Sequence, residues 1–401
     1  MSKATKIKKQ ALVPRLRFPE FRGAGDWNEK FLSNVCDMQS GKFIAAREIS
    51  ERPAEGLYPC FGGNGLRGYT KAFNKSGRYS LIGRQGALCG NINFIEGSFY
   101  ATEHAVVTTP KPGVSTDWLF YLLDTLKLNR FATGQAQPGL SVEVLENVSC
   151  VIPRDEPEQQ KIADCLSSLD ALITAQVQKV DVLRTHKKGL MQQLFPREGE
   201  TVPRLRFPEF RDAWEWDRTQ LSTQVELISG LHLSPTEYSD SGETPYFTGP
   251  SDYSNELSTV RKWTARGENV GRSDDTLITV KGNGVGELLR LKLDEVAMGR
   301  QLMAVRPSIA HGGFIFYFLE TRRQRLIELA SGNLIPGLSR GDILSLEILV
   351  PEKQEQIKVA NCLSAIDALI TATMENLDAL SAHKKGLMQQ LFPNNQQTVG
   401  E

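Results

Sequence analysis

Apolar side chains recur at alternating spacings of four and three in two separate stretches of the chain. The first runs Ile162, Leu166, Leu169, Ile173, Gln176, Val180, Leu183, Lys187, Leu190, Leu194. The second runs Val359, Leu363, Ile366, Ile370, Thr373, Leu377, Leu380, Lys384, Leu387, Leu391. Eight of the ten positions are apolar in each. This spacing keeps one stripe turned toward a partner helix, so both stretches are predicted to be long helices with a heptad seam. The exceptions fall at equivalent places, Gln176 with Thr373 and Lys187 with Lys384. Leu-Phe-Pro closes each run, because proline cannot continue a helix. At about 1.5 Å per residue, each helix is about 50 Å long.

The rest of the chain has a shorter rhythm. Tyr79–Ile82, His104–Thr108, Thr276–Val280 and Leu302–Val305 read as strands broken by glycine and proline. Trp118–Phe131 and Phe314–Leu329 read as helices following each strand cluster. Phe61-Gly-Gly-Asn-Gly65 and Gly282-Asn-Gly-Val-Gly286 read as loops. The class is therefore α/β, with two mixed domains separated by two long helices.

The chain is also written twice. Val13-Pro-Arg-Leu-Arg-Phe-Pro-Glu-Phe-Arg22 recurs unchanged at Val202–Arg211, and His186–Pro196 recurs unchanged at His383–Pro393. Cys165–Ala175 and Cys362–Ala372 differ only at Ser168/Ala365 and Leu169/Ile366. Between these anchors only scattered marks are shared: Ser40-Gly41 with Ser229-Gly230, Leu81-Ile82 with Leu277-Ile278, Gly86 with Gly282, Gly134 with Gly332, and Pro138-Gly-Leu-Ser141 with Pro336-Gly-Leu-Ser339. The repeat unit approaches 200 residues, far too long for a solenoid. The expected organisation is a constant segment (1–22), a variable domain (23–153), a helix (154–196), a linker holding the second ten-residue copy (197–211), a second variable domain (212–351), a second helix (352–393) and a tail (394–401).

Length and composition fit a folded protein of two or three domains: 401 residues, 40% apolar and 23% charged. Lys+Arg and Asp+Glu are both 47, so a uniform positive field that coats nucleic acid is excluded, while local basic patches are not. No apolar run approaches the roughly 20 residues of a bilayer span, and no apolar core follows the basic N-terminus; a cytoplasmic protein is expected. The six cysteines form no Cys-x-x-Cys pair and read as buried free thiols rather than zinc ligands or disulfides.

Catalytic chemistry is hard to find. Phe61-x-Gly63-x-Gly65 could pass for a methyl-donor loop, but no Asn/Asp-Pro-Pro-aromatic motif accompanies it. Gly282-x-Gly284-x-Gly286 has the wrong spacing for a dinucleotide fingerprint. There is no Asp/Glu-x-Lys nuclease pair, no phosphate-binding Gly-x4-Gly-Lys-Ser/Thr and no metal-like spacing of histidines. Glu103-His104 reads as a histidine beside an acid rather than a catalytic pair.

One pattern stands at both junctions of variable domain and helix. Pro153, then Glu158-Gln159, Ile162, Leu166 and Asp170 match Pro351, Glu355-Gln356, Val359, Leu363 and Asp367. With the upstream Gly-Leu-Ser at 139–141 and 337–339, it resembles the DNA-specificity (S) subunit of type I restriction–modification enzymes, over residues 13–393. The resemblance implies two target recognition domains, each reading one half of a split DNA sequence. It implies an antiparallel coiled coil that fixes the spacing, with an internal pseudo-two-fold repeat. It implies two methyltransferase subunits that methylate adenine with S-adenosylmethionine, and restriction subunits that cleave with ATP and Mg. The chain itself would hold no catalytic residue and no cofactor. Two competing readings are an autonomous adenine methyltransferase with a degenerate cofactor loop and a protein-only coiled-coil scaffold.

Residues that read duplex DNA are sought by type and loop position, since arginine suits guanine and Asn or Gln suits adenine. In the first domain these are Lys42, Arg67, Tyr69, Lys71, Arg84, Gln85, Gln135 and Gln137. In the second they are Arg261, Lys262, Arg266, Arg272, Lys281, Asn283, Arg300 and Asn333. Arg84-Gln85 and Lys281/Asn283 stand out, at equivalent turns around the shared glycine. Two further expectations concern the frame. Antiparallel helices would bring Gln176 and Thr373 together, and the repeated ten-residue segment would dock the methyltransferase unless Phe18 and Phe207 are buried.

Overall fold

Residues 12–86, 88–134, 138–265, 267–331 and 337–393 are described by the structure, a computed structural model. The chain divides into two compact units, Met1–Gln176 with Asn376–Glu401, and Val177–Glu375.

The first unit contains β1 (Asn28–Phe31), β2 (Cys36–Ser40), β3 (Tyr58–Gly62), β4 (Gly65–Thr70), β5 (Lys75–Gly83), β6 (Ile92–Ala101), β7 (Ala105–Pro110) and β8 (Ser149–Ile152). Six of them form one sheet in the order β2-β7-β5-β6-β3-β4, antiparallel except where β3 joins β6, and β1 pairs with β8. Side chains alternate across a strand, so Leu81 and Ile82 serve opposite faces. Ile82 joins the main core with Trp118, Leu122 and Leu145. Leu81 joins a second cluster with Phe99 and Val107.

The second unit contains β9 (Asp217–Gln220), β10 (Val225–Ser229), β11 (Thr244–Phe247), β12 (Trp263–Thr264), β13 (Val270–Arg272), β14 (Thr276–Thr279), β15 (Leu288–Arg290), β16 (Glu295–Met298), β17 (Leu302–Pro307) and β18 (Glu347–Val350). Here the sheet is split in two, β10-β17-β14-β15 and β12-β11-β16-β13. The cause is local. In the first unit β6 runs unbroken and pairs with both β5 and β3. In the second, Leu291-Lys-Leu-Asp294 separates β15 from β16, so the two pairings belong to different strands.

Six α-helices complete the described chain: α1 (Thr116–Thr125), α2 (Val142–Glu146), α3 (Glu156–Leu194), α4 (Gly312–Ser331), α5 (Arg340–Leu344) and α6 (Lys353–Leu391). The helix expected at Trp118–Phe131 is shorter than its pattern suggested. It ends at Thr125, Lys127 turns into the left-handed region at φ 48°, and a 3-10 turn follows over Leu128–Phe131. Each unit holds the first half of one long helix and the second half of the other. Within the first unit, Ile162 and Leu166 of α3 share a core with Leu387, Met388 and Leu391 of α6, while Lys384 reaches Asp170. As numbers rise on one helix they fall on the other, so the pair is antiparallel. The second unit repeats this with Leu190, Met191 and Leu194 against Val359 and Leu363, and Lys187 against Asp367.

All twenty seam positions are buried or half-buried. Gln176 and Thr373 belong to different units, and the Thr373 hydroxyl donates to the Leu369 carbonyl at 2.7 Å, satisfied within its own helix. Composition also qualifies one expectation: α6 carries an 18-residue window of mean hydropathy 1.3, long and apolar enough to cross a membrane by that test alone. Of its buried apolar side chains, Val359 and Leu363 are part of the second unit's core and Leu391 of the first unit's.

Candidate nucleic-acid interface

Each unit is built from a clamp at the helix and a rim at the far ends of the strands. The clamp uses the Glu, Gln, Ile/Val, Leu and Asp positions of the repeated junction pattern. Glu158 takes hydrogen bonds from Arg17 Nε and Nη2 at 2.7 Å each, and Glu355 takes them from Arg206 at 2.8 Å each. These bonds push both guanidinium groups further above their ordinary value. Gln159 accepts from the Ser115 amide at 2.9 Å, where α1 begins, and Gln356 accepts from the His311 amide at 2.8 Å, where α4 begins. Ile162/Val359 and Leu166/Leu363 enter the cores. Asp170 accepts from the Tyr121 hydroxyl and Asp367 from the Tyr317 hydroxyl, both at 2.7 Å.

Lysines complete the clamp. Lys384 and Lys187 pair with those same aspartates at 2.5 and 2.6 Å, each ammonium 5.3 Å from the centre of the adjacent tyrosine ring. The two lysines that interrupt the apolar seam are thus ion-paired parts of a Tyr–Asp–Lys triad. Burial, then the bond to aspartate, pushes both phenols above their ordinary value.

The ten-residue segments belong to this clamp. Pro14, Arg17 and Pro203 are buried, and Phe18 and Phe207 are half-buried against their cores under Lys161 and Lys358, each 5.8 Å away. Packing therefore accounts for the inward residues of each copy. Arg15 and Arg204 remain exposed.

The rim is set by glycines. A Cβ on Gly41 would lie 2.2 Å from the Ala101 carbonyl oxygen, and one on Gly230 2.2 Å from that of Gly299, so only glycine fits the shared Ser-Gly. Arg84 N–H donates to the His104 carbonyl and Leu140 N–H to the Arg84 carbonyl, both at 2.9 Å. Val280 N–H donates to Gln301 and Leu338 N–H to Val280, both at 2.8 Å. Gln85 is bridged to Gly139, and Lys281 to Gly337. Gly86 and Gly282 then turn the chain at φ 88° and 90°. The Gly-Leu-Ser marker is thereby explained: its glycine braces the turn, Leu140 or Leu338 enters the core, and Ser141 or Ser339 caps α2 or α5.

The structural equivalents are thus Gln85 and Lys281, both exposed, while Arg84 corresponds to the buried Val280. Lys42, Arg67, Arg84 and Gln85 gather on one rim: Lys42 bridges Thr102, Arg67 packs on Gly62, and Arg84 Nη1 donates to Ser40 at 3.3 Å. Lys281, Asn283 and Arg300 lie on the second rim, Arg300 between Gly299 and Gln301.

Other candidates do not join them. Tyr69 lies, like the rim residue Arg67, within strand β4 rather than in a loop, and is tied to Ser50 by two backbone bonds of 2.8 Å. Lys71 follows β4, about 20 Å from the hairpin tip. Arg272 pairs with Glu295 at 3.4 Å, at the opposite end of β16 from Gly299. Lys262 pairs with Asp252 at 3.0 Å, and Arg261 beside it is exposed. Burial pushes the Asp252 carboxyl up, but bonds from Thr248 and Lys262 prevail and hold it below its ordinary value. Gln135, Gln137, Arg266 and Asn333 lie outside the described residues.

Sequence reasoning missed Arg340. Its Nη1 donates to Ser229 at 3.1 Å, so each unit sets a guanidinium beside the serine of Ser-Gly, from β5's end in one and from α5 in the other. Its only sequence cue was its place directly after Gly-Leu-Ser.

The glycine tract at 61–65 is the tip of the β3–β4 hairpin. A Cβ on Gly63 would lie 2.9 Å from the His104 carbonyl oxygen, so packing explains that glycine without a cofactor. Among the described residues, no group of three or more His, Cys, Asp or Glu is placed to hold a metal. All six cysteines are free; Cys165 and Cys362 are half-buried rather than buried.

A family profile described as "Type I restriction modification DNA specificity domain" matches residues 24–183 and again 215–381. The chain belongs to that family. It is 47% identical over 144 residues to the type I restriction enzyme EcoprrI specificity subunit of Escherichia coli, a match that spans 36% of each chain, about a third of that protein's length. Against the MjaVIII specificity subunit of Methanocaldococcus jannaschii it is 24% identical over 417 aligned positions, covering 94% of this chain and 93% of that one. The fold is similar to the crystal structure of a type I S subunit from M. genitalium, with TM-score 0.71 and 18% identity over 95% and 99% of the two chains. It also resembles a chain solved in work on complex assembly of the type I R-M system, with TM-score 0.52 and 17% identity over 92% and 98%.

Proposed function

We propose that this specificity subunit reads a split, asymmetric duplex site, one half with each unit, as part of a type I restriction–modification complex. One observation carries the reading: the same turn, braced in the same way at Gly139 and Gly337, ends in Gln85 in one unit and Lys281 in the other. A common scaffold with different side chains at its tip suits two different half-sites. Gln85 can bond adenine bidentately, and Arg84, Arg300 and Arg340 have the chemistry for guanine or phosphate. Two methyltransferase subunits using S-adenosylmethionine, and restriction subunits using ATP and Mg, supply the reactions. This chain contributes address rather than chemistry and works in the cytoplasm. The names of its relatives support this reading. An autonomous methyltransferase is not favoured, since Gly63 of its supposed cofactor loop is explained by packing and Gly65 by its left-handed φ of 93°.

The test is to express the chain with the methyltransferase subunit of its own system and map methylated adenines by single-molecule sequencing. The expected product is one bipartite, non-palindromic motif with a constant gap. A continuous or palindromic motif, or methylation by the isolated chain, would overturn the reading.

A further inference from the structure

The second residue after the shared Ser-Gly is an exposed planar ring in both units, Phe43 in the first and His232 in the second. Phe43 is 74% exposed and joins none of the first unit's apolar clusters. His232 makes no ion pair among the described residues.

The two positions are structurally equivalent. Lys42 N–H donates to the Ala101 carbonyl at 2.9 Å, and Leu231 N–H to the Met298 carbonyl at 2.7 Å. Just before them, Gly41 N–H donates to Ala105 and Gly230 N–H to Leu302. The far side of each ring position is held as well, each time by a tyrosine hydroxyl from the sheet. Tyr100 of β6 donates to the Phe43 carbonyl at 3.0 Å, and Tyr246 of β11 accepts from the Leu233 N–H at 3.4 Å. Single exposed apolar side chains need no explanation. A ring whose backbone is pinned on both sides, at the same place in two diverged domains, does.

Its surroundings suit a nucleic acid. Lys42, Arg67 and Arg84 share the first rim with Phe43, and Lys281 and Arg300 share the second with His232. None of the five holds an ion pair among the described residues. The side chains themselves narrow the role. Phenylalanine has no donor or acceptor, so it cannot read base edges by hydrogen bonding. Contact with a thymine methyl suits phenylalanine but gives no reason for histidine in the other unit. What the two have in common is a flat face, which stacks on any base. In an intact duplex those faces are covered by neighbouring bases, so a ring finds one only where the stack is broken. Adenine methylation breaks it, because the target base must leave the helix to be reached.

We propose that Phe43 and His232 are positioning residues that enter the duplex beside the target adenine, one in each half-site, and stack on the face its departure uncovers. The chain thus helps to open the duplex as well as address it. The proposal rests on the functional reading above.

The experiment uses the full chain assembled with the methyltransferase subunit of its own system, on duplexes carrying its mapped motif. One readout is the fluorescence of 2-aminopurine placed at either target position, which brightens when the base leaves the stack. The other is the methylation rate of each adenine. Phe43→Ala should dim the probe and slow methylation about tenfold or more in one half-site, the scale of one lost stack, and His232→Ala in the other. Removing the base opposite the target, which makes opening easy, should restore the rate. Phe43→Trp should keep activity, and Phe43→Leu, apolar but not flat, should behave like Phe43→Ala. The motif and the melting temperature should stay as in wild type. Unchanged fluorescence and rate in both alanine variants overturn the proposal, as does wild-type activity of Phe43→Leu. A loss that persists on the pre-opened duplex, an altered motif or a lowered melting temperature overturns it too, by making the ring a packing or base-reading residue. A wild-type complex that methylates no bipartite motif overturns the functional reading instead.

Discussion

Clamp and rim follow opposite rules within each unit. At the clamp the contacts repeat residue for residue: Arg17–Glu158 with Arg206–Glu355, Tyr121–Asp170–Lys384 with Tyr317–Asp367–Lys187. An aromatic trio repeats too, Trp27–Trp118–Phe392 and Trp216–Phe314–Phe195. At the rim the turn, its Ser-Gly and its Gly-Leu-Ser brace are shared, while the side chains at its tip differ, Gln85 in one unit and Lys281 in the other. Contacts with the helices are thus held constant, while the tips of the rim turns differ without disturbing that frame.

The clamp should fail hardest where a buried charge loses its partner. Glu158→Ala or Glu355→Ala should each cost about 3–5 kcal/mol, because the arginine left behind is desolvated. Glu158→Ala should be the worse by about 1 kcal/mol: Glu158 also accepts from Trp27 Nε1 at 3.2 Å, whereas Trp216 Nε1 has no partner to lose. Chemical unfolding of the two variants measures the difference.

Alkaline pH should separate the units next. Burial pushes the thiols of Cys36 and Cys150 up to about 12 from 9.0. A raised folded value means stability fully present below pH 9 and lost as pH climbs from there toward 12. Val225 and Ile348 open β10 and sit in β18 where these cysteines open β2 and sit in β8, so the second unit has no thiol at either place, and burial raises only Cys362 there. Cys36→Val with Cys150→Val should flatten the alkaline arm of the pH–stability curve.

Smaller effects sharpen the contrast. Tyr121→Phe and Tyr317→Phe should each cost about 1 kcal/mol and by similar amounts, since the triads match. Arg272→Ala, at an exposed pair off the rim, should change stability by less than about 0.5 kcal/mol and leave the methylated motif intact. A motif altered by Arg272→Ala would extend the reading surface beyond the rim.

The clamp's frame was legible in sequence because a heptad period is local: Leu166, Val180 and Leu363 were found by spacing alone. The partners of Lys187 and Lys384 were not, since Asp367 and Asp170 lie far away in the chain. Glycine density misled at β4. Gly68 looks like a turn residue, but it is a strand position where a Cβ would meet the Ser50 carbonyl oxygen at 2.4 Å, so Arg67 and Tyr69 were assigned to a loop. Arg340 was invisible because its role depends on Ser229 arriving from another strand.

The most direct test of the division between clamp and rim is to map methylated adenines for Gln85→Ala and for Lys281→Ala in the assembled complex. Each variant should relax or change bases in one half of the motif only, a different half for each, at about 1–3 kcal/mol of discrimination per lost base contact. Gap and stability should stay as in wild type. If either variant alters both halves, or neither changes any base, the turns braced by Gly139 and Gly337 are not where this protein reads DNA.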